Sequence, residues 1–438
     1  MRILFLSHYF PPEVNAPAGR TYEHTVRWAR AGHDVTVVTC VPNCPDGVVY
    51  PGYRNRLRRQ VETMDGVRVV RVWTYLAPNA GTARRIVNYL SYMFSAFWAA
   101  LTLPRPDVLI ATSPQFFCGW AGVLVHWLRR VPFVLEIRDI WPESIETVGA
   151  IRFRPVLRML QWMERVMYRA ADHIVAVGEG YKNKILEKVN ISGRISVITN
   201  GVDLQRFLPR PACPEIRSRW RGDEKFVCAY VGTIGMAHGL DVVLRAAEIL
   251  RERGRNDIVF WMVGDGARRE ELERETQRCG LGQRVVFTGR LAKEDMPDVL
   301  AAADACLVHL KKTKLFETVI PSKIFEMMAM AKPIIMGVRG EARAIAHRAG
   351  AAVEMEPESA ESLADVITRL ADDPTLRTRL AASARGFVTE HYNRDRLAET
   401  FLRTLESIAA GGRGADIVAP DDREAVTTAE MTPSSLIP

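Results

Sequence analysis

The chain of 438 residues is 48% hydrophobic and 25% charged, the balance of a globular protein long enough for two or three domains. No apolar stretch reaches the ~18–20 residues of a spanning helix, which argues against a membrane-spanning protein. The net charge of +8 lies in residues 1–135, which hold fifteen arginines, no lysine and seven acids, so the first third expects an anionic partner, nucleic acid or membrane surface.

In chain order, MRILFLSHYF reads as a first β-strand. Its apolar stretch is short for a signal peptide and no small-residue cleavage site follows, which predicts a cytoplasmic protein. DVTVVTCV, VRVVRVWTYL, DVLIATS, FVLEIRDIW, HIVAVGE and ISVITNG continue the strand series. Amphipathic stretches such as RTYEHTVRWARAG and RPVLRMLQWMERVMYRAA lie between them, the alternation of a parallel sheet with helices on both faces. The Pro42–Arg59 loop is long enough to be a functional candidate. TARRIVNYLSYMFSAFWAALTL, residues 82–103, opens with two arginines and continues with Tyr, Phe and Trp. It fits a helix lying in an anionic membrane interface, and equally a buried core helix. Its aromatics favour membrane over nucleic acid as the anionic partner.

EIRDIWPES places Arg138 and Asp139 at the carboxyl end of a strand, where open α/β sheets bind ligands; a structural ion pair is the alternative. In ITNGVD, Asn200-Gly201 is a turn signal. The proline- and charge-rich stretch 207–224 reads as a linker. A second series then follows: KFVCAYVG, DIVFWMVG, RVVFTG, ACLVHL, KPIIMGV and AAVEM, again with helices between. The prediction is therefore α/β, two Rossmann-like doubly wound domains, 1–206 and 225–393, facing across a ligand cleft. A last helix is expected over 394–410 and a disordered tail over 411–438. The seven cysteines are scattered, without zinc-finger spacing, and read as free thiols rather than metal ligands.

No GxGxxG, Walker A loop, GxSxG elbow or HExxH helix is present. GTIGMAHGLD follows an apolar strand and has glycines where a phosphate could approach, yet no lysine or arginine lies between Gly232 and Asp241. TVIPSKIFEMMAMAKPII supplies the missing charge. Pro321, Ser322 and Lys323 stand at a predicted helix start, and Glu326 lies three residues on, on the same face. A lysine with helix amides suits a diphosphate, and the carboxylate suits a ribose diol. A capping box is the alternative, one residue longer than its usual spacing.

Taken together, TNGVD, VGTIG with HGLD, VGDG, FTGRL and IPSKIFEMMA, in that order, resemble the retaining glycosyltransferases of family 4, which have the GT-B fold. SHYFPPEVNAPAGRTYEH, PDGVVYPGYRNR and IRDIWPES resemble the WbuB-like branch that serves O-antigen, capsule and exopolysaccharide assembly. The resemblance implies a nucleotide-sugar donor, UDP-linked, in the C-terminal domain and a lipid-linked saccharide acceptor at the N-terminal domain. Glu326 would hold the ribose and Lys323 the diphosphate, helped by backbone amides of Val319, Ile320 and Ser322 around Pro321. Amides near Gly232, with Thr233 and His238 in the same loop, would assist. Gly264 and Gly266 of the VGDG turn, with Arg290 and Leu291, would border the base. Arg138 and Asp139 would face the donor sugar. Asn15, Ala16, Gly19 and Arg20 would replace a glycine-rich loop, with Asn200 at the acceptor side.

The family usually has an arginine and a lysine where this chain has Thr233 and His238, and a glutamate where it has Thr318. With those charges missing, His238 is expected to attract the phosphates weakly and in a pH-dependent way. The resemblance further implies retention by same-face displacement, with the leaving phosphate taking the acceptor's proton. No DxD-like carboxylate pair stands at a strand end, so no metal and no separate cofactor are expected. An N-acetylhexosamine would pass to a polyprenyl-diphosphate-linked saccharide at the inner face of the plasma membrane. Two other readings stand beside this one: a sugar-nucleotide epimerase of the same fold, and a non-catalytic nucleotide-sugar-binding partner subunit.

Overall fold

The computed structural model describes residues 1–78, 82–143 and 153–412, the side chains of residues 82, 83 and 315 apart. Most of the predicted tail, 411–438, therefore lies outside the described residues, as does Ser144 of the IRDIWPES motif. The chain forms two units: Met1–Thr199 with the segment from Leu397 onward, and Asn200–Arg396. This division falls earlier than the predicted 206/207 boundary. The stretch 207–224 belongs to the second unit, and the helix that starts near residue 394 joins mainly the first.

The first unit runs β1 (Arg2–Leu6), α1 (Ala16–Arg30), β2 (Asp34–Cys40), β3 (Gln60–Met64), β4 (Val67–Val72), α2 (Thr82–Thr102) and β5 (Val108–Thr112). It continues with α3 (Phe116–Arg129), β6 (Phe133–Ile137), α4 (Arg154–Ala170), β7 (His173–Ala176), α5 (Glu179–Lys188) and β8 (Ile195–Val197). The strands are ordered β3-β4-β2-β1-β5-β6-β7-β8, parallel except for β3 against β4. Strands buried on both faces read as unbroken Val, Ile and Leu runs, which is why the sequence displays them clearly. One face is covered through Tyr92 of α2, Ala121 of α3, Leu160 and Met167 of α4, and Ile185 of α5. The other is covered by Val26 and Trp28 of α1 and by Phe401 and Leu405 of the last helix.

The second unit opens with the short α6 (Pro214–Arg219), so the predicted linker contains structure. It continues β9 (Phe226–Val231), α7 (Asp241–Glu252), β10 (Ile258–Val263), α8 (Arg269–Arg278), β11 (Val285–Gly289), α9 (Met296–Ala302) and β12 (Ala305–His309). Then come α10 (Lys323–Ala329), β13 (Ile334–Gly337), α11 (Glu341–Arg348), β14 (Ala352–Glu354), α12 (Ala360–Asp372) and α13 (Pro374–His391); α14 (Arg394–Ala409) ends the described chain. All pairings are parallel in the order β11-β10-β9-β12-β13-β14. That is the 3-2-1-4-5-6 order of a doubly wound sheet, whose direction of winding reverses between β9 and β12. Ligands bind outside the carboxyl ends of strands at such a point. The first sheet reverses in the same way between β1 and β5. Among the described residues no helix is long and apolar enough to cross a membrane.

Candidate functional site

The carboxyl ends of β9 and β12 carry the second unit's site. Tyr230, near the end of β9, is buried and donates its hydroxyl to Thr233 O at 2.7 Å. This pins the turn that follows. Gly232 sits at φ +139°, a conformation costly for any residue with a side chain, and its N–H donates to Val263 O at 2.9 Å. A Cβ at Gly232 would lie 3.5 Å from Lys323 Nζ, so the glycine leaves the ammonium room beside bare backbone.

Lys323 begins α10. Only seven residues long, that helix is held by burial rather than propensity: Ile324, Phe325, Met327 and Met328 are at most 0% exposed, each worth roughly 1.5–3 kcal/mol. Lys323 Nζ lies 3.8 Å above the Tyr230 ring centroid. The nitrogen is shielded from solvent and has no hydrogen-bond partner. Burial therefore pulls this amine down to about 7, against a smaller favourable influence of Glu326. A buried cation over a ring face, without a carboxylate hydrogen-bonded to it, is arranged to receive an anion.

His238 lies beside this pair, its ring centroid 6.0 Å from that of Tyr230. Burial and the nearby Lys323 hold it down to about 4. His238 is thus neutral near pH 7, and the expected pH-dependent attraction does not arise from it. Its turn is held by a residue that the sequence analysis left unassigned. His309, at the end of β12, is fully buried; its Nε2 accepts from Glu358 N–H at 2.9 Å. That leaves Nδ1 as the donor to His238 O, 2.6 Å away. Lys311 N–H adds a bond to Ala237 O at 2.9 Å. Tyr230 and His309 escaped notice because a polar ring inside an apolar strand run reads as core.

Several predicted donor-side residues have other duties. Ser322 makes no capping bond; its hydroxyl accepts from Asn200 Nδ2 at 3.1 Å, which rules out the capping box. Asn200 therefore lies against the 321–323 turn, within the second unit. Val319 N–H is taken by Phe316 O at 3.2 Å and Pro321 has no N–H, so the amides of this stretch cannot all turn to a ligand. Gly264 and Gly266 let the turn after β10 lie against the turn after β9. Added Cβ atoms would meet Gly232 O at 1.9 Å and Ile234 O at 2.5 Å. Thr233 and Arg290 are exposed, and Leu291 packs partly on the core. Asp372 pairs with Arg255, and Asp373 caps Leu376 N–H, so this acidic pair is structural.

In the first unit, the expected loop Asn15–Arg20 is instead the first turn of α1. Asn15 Oδ1 caps Ala18 N–H at 2.8 Å, and Pro17 suits the opening turn. Arg20 is turned inward. Its Nε donates to Glu136 Oε1 at 2.8 Å, and its other nitrogens to Thr199 O and Ile198 O at 2.7 and 2.8 Å. This guanidinium is a buried tie, not a cleft ligand. Gly19 has open space where a Cβ would stand.

Glu136 is fully buried and also accepts from Thr112 Oγ1 at 2.5 Å. Burial alone would raise its carboxyl; Arg20, Arg138 and these bonds outweigh that and lower it. Arg138 is pulled down to about 10 by burial and still carries its charge at neutral pH. It reaches Pro17 O at 3.3 Å and Ala16 O at 3.1 Å, while Ser113 Oγ accepts from the N–H groups of Arg138 and Asp139. Arg138 and Asp139 thus stand where predicted, beside the β1/β5 reversal. His8, after β1, is buried between the rings of Tyr9, Tyr89 and Tyr92 with Nδ1 unpartnered. The seven cysteines are free. Among the described residues, no group of three or more His, Cys, Asp or Glu is placed to hold a metal.

Residues 16–201 match the family described as glycosyl transferase 4-like domain, and residues 214–406 match glycosyl transferases group 1. The chain is similar to the putative colanic acid biosynthesis glycosyl transferase WcaI of Escherichia coli. They are 26% identical over 377 residues, 83% of this chain and 90% of the relative. It is also similar to the probable glycosyltransferase WbjE of Pseudomonas aeruginosa, 25% identical across 67% of this chain and 74% of the relative. Among solved structures, sucrose-phosphate synthase of Thermosynechococcus elongatus superposes with TM-score 0.73 at 19% identity, covering 94% of this chain and all, 100%, of that one. HepE of Anabaena in complex with UDP-glucose superposes with TM-score 0.66 at 17% identity, covering 93% of this chain and 100% of that one.

Proposed function

Built from a glycosyl transferase 4-like domain followed by a glycosyl transferases group 1 domain, the chain is a glycosyltransferase of the GT-B fold, and from that premise we propose what it transfers. It moves a sugar, an N-acetylhexosamine, from a UDP-linked donor to a polyprenyl-diphosphate-linked saccharide in cell-surface polysaccharide assembly. It does so peripherally, at the inner face of the plasma membrane, as a member of the WbuB-like branch. The likeness to WcaI, named as a putative colanic acid biosynthesis glycosyl transferase, and to HepE, solved in complex with UDP-glucose, supports this reading.

One observation carries it. Lys323 Nζ is shielded from solvent, unpartnered and held over Tyr230 at the reversal point of the second sheet. A diphosphate there restores the ammonium and neutralises it. Glu326 then receives the ribose diol. As the bond from the anomeric carbon to the diphosphate oxygen breaks, Lys323 stabilises the leaving charge. The acceptor hydroxyl attacks from the same face and passes its proton to the departing diphosphate. Configuration is retained and no metal is required.

The test is a screen of nucleotide sugars against a lipid-diphosphate-saccharide acceptor, with the product's anomeric configuration read by NMR. An inverted product sinks the proposed mechanism. Conversion of donor alone to an epimer favours an epimerase, and binding of a nucleotide sugar without turnover of any donor and acceptor pair favours a non-catalytic subunit.

A further inference from the structure

Three tryptophans stand outside the core on neighbouring helices of the first unit. Trp98 of α2, Trp127 of α3 and Trp162 of α4 are 64%, 51% and 60% exposed. The helices pack in that order, α2 on α3 and α3 on α4, and cover the sheet face opposite α1 and α14. A surface helix ordinarily keeps its large apolar residues on the inward side. Here α2 and α4 each bury one side in the core and carry a tryptophan on the other, while α3, apolar nearly all round, carries Trp127 near its exposed C-terminal end.

The charge on α4 completes the picture. Arg154, Arg158, Arg165 and Arg169 are exposed on it. Its one acid, Glu164, is buried and tied to Tyr168 Oη and Lys188 Nζ, both at 2.8 Å. The outer side of α4 is therefore cationic, with no exposed carboxylate of its own. Aromatic rings interleaved with arginines match the boundary between phosphate headgroups and acyl chains. A second copy would bring like charges together across a two-fold interface.

We propose that the outer face of α2, α3 and α4 is a docking surface for an anionic lipid bilayer, with α4 supplying the charge and the three tryptophans the insertion. This deepens the peripheral association proposed above and rests on it. The sequence directed attention to α2; the structure adds α3 and moves the basic component to α4.

The test is co-sedimentation of the full chain with phosphatidylcholine vesicles, with and without phosphatidylglycerol. The chain should pellet with the anionic vesicles only, and less so as salt rises. Arg158→Glu with Arg165→Glu should lower partitioning at least ~10-fold, since each basic residue near the surface is worth about 1 kcal/mol. Trp98→Ser with Trp162→Ser should lower it at any salt. Wild-type chain left in the supernatant, or charge-reversed chain pelleting unchanged, overturns the proposal. So does self-association that the tryptophan variant abolishes while vesicle binding persists. UDP titration of the same proteins keeps the two readings apart: the variants should bind UDP like wild type, and loss of UDP binding by wild type counts against the donor site only.

Discussion

Lys323 Nζ and the Tyr230 ring face each other at 3.8 Å, and the hydroxyl of the same tyrosine holds the turn at Thr233. One side chain thus supports both the cation and the backbone that would meet the donor's phosphates. Tyr230→Phe keeps the ring and should keep most donor affinity; Tyr230→Leu removes the platform and should raise KM for the donor ~10-fold. Steady-state kinetics of the pair separate ring from hydroxyl, and equal effects would refute the platform.

Replacing Lys323 by Met should lower turnover about 100-fold or more, the usual scale for one charge-stabilising group at a reacting centre. Loss of the buried amine should not destabilise the fold, because no hydrogen bond is broken. A stopped reaction with unchanged thermal unfolding is the expected pair of results.

Free Lys323 sits at about 7 because of burial, below its usual 10.5. A diphosphate should draw a proton onto it. Above ~pH 7.5, UDP binding should therefore take up close to one proton, and affinity should fall as pH rises. Calorimetry in buffers of different ionisation heat measures this, and Lys323→Met should lose it. The folded chain also holds fewer protons here than the unfolded chain, so this group's contribution to stability rises with pH from about 7 to 10.5. His238→Gln should leave the profile between about pH 6 and about pH 8 unchanged, since burial keeps that ring neutral down to about 4.

His309→Phe removes both bonds of a fully buried ring, to His238 O and from Glu358 N–H. Each backbone group left unpaired costs ~1–3 kcal/mol. Denaturant titration should show a loss of that order, and donor KM should rise while kcat changes less. Restoration of KM by His309→Gln, with stability still reduced, would mark a positioning role.

Arg20→Met should destabilise the first unit by roughly 3–5 kcal/mol, leaving Glu136 buried without its partner. Adding Glu136→Gln should recover part of that loss. Equal stability of Arg20→Met and wild type would return Arg20 to the list of ligand residues.

The strands and the Lys323–Glu326 pair were legible because each signal is local: an apolar run, or a lysine and glutamate one helical turn apart. Arg20 was misread because its partner lies 116 residues away. The packing role of Gly264 and Gly266 was hidden for the same reason, since what forbids a side chain there is the backbone of another turn. The α3 segment FFCGWAGVLVHWLR is apolar nearly all round and shows no clean period, and β3 follows a long loop with weak alternation. Strand order depends on crossovers that no local pattern encodes.

The last helix, α14, has a consequence for synthesis. Trp28 Nε1 donates to Ala398 O at 2.9 Å, and Phe401 stacks edge-on against the Trp28 ring at 5.2 Å. The first unit therefore waits for residues translated after the whole of the second unit. Until then the nascent chain shows an apolar face around Trp28, a natural holding site for a chaperone. A chain cut just before residue 397 should keep its second unit folded and aggregate through its first, so the arrival of α14, rather than emergence of the N-terminal half, completes the fold.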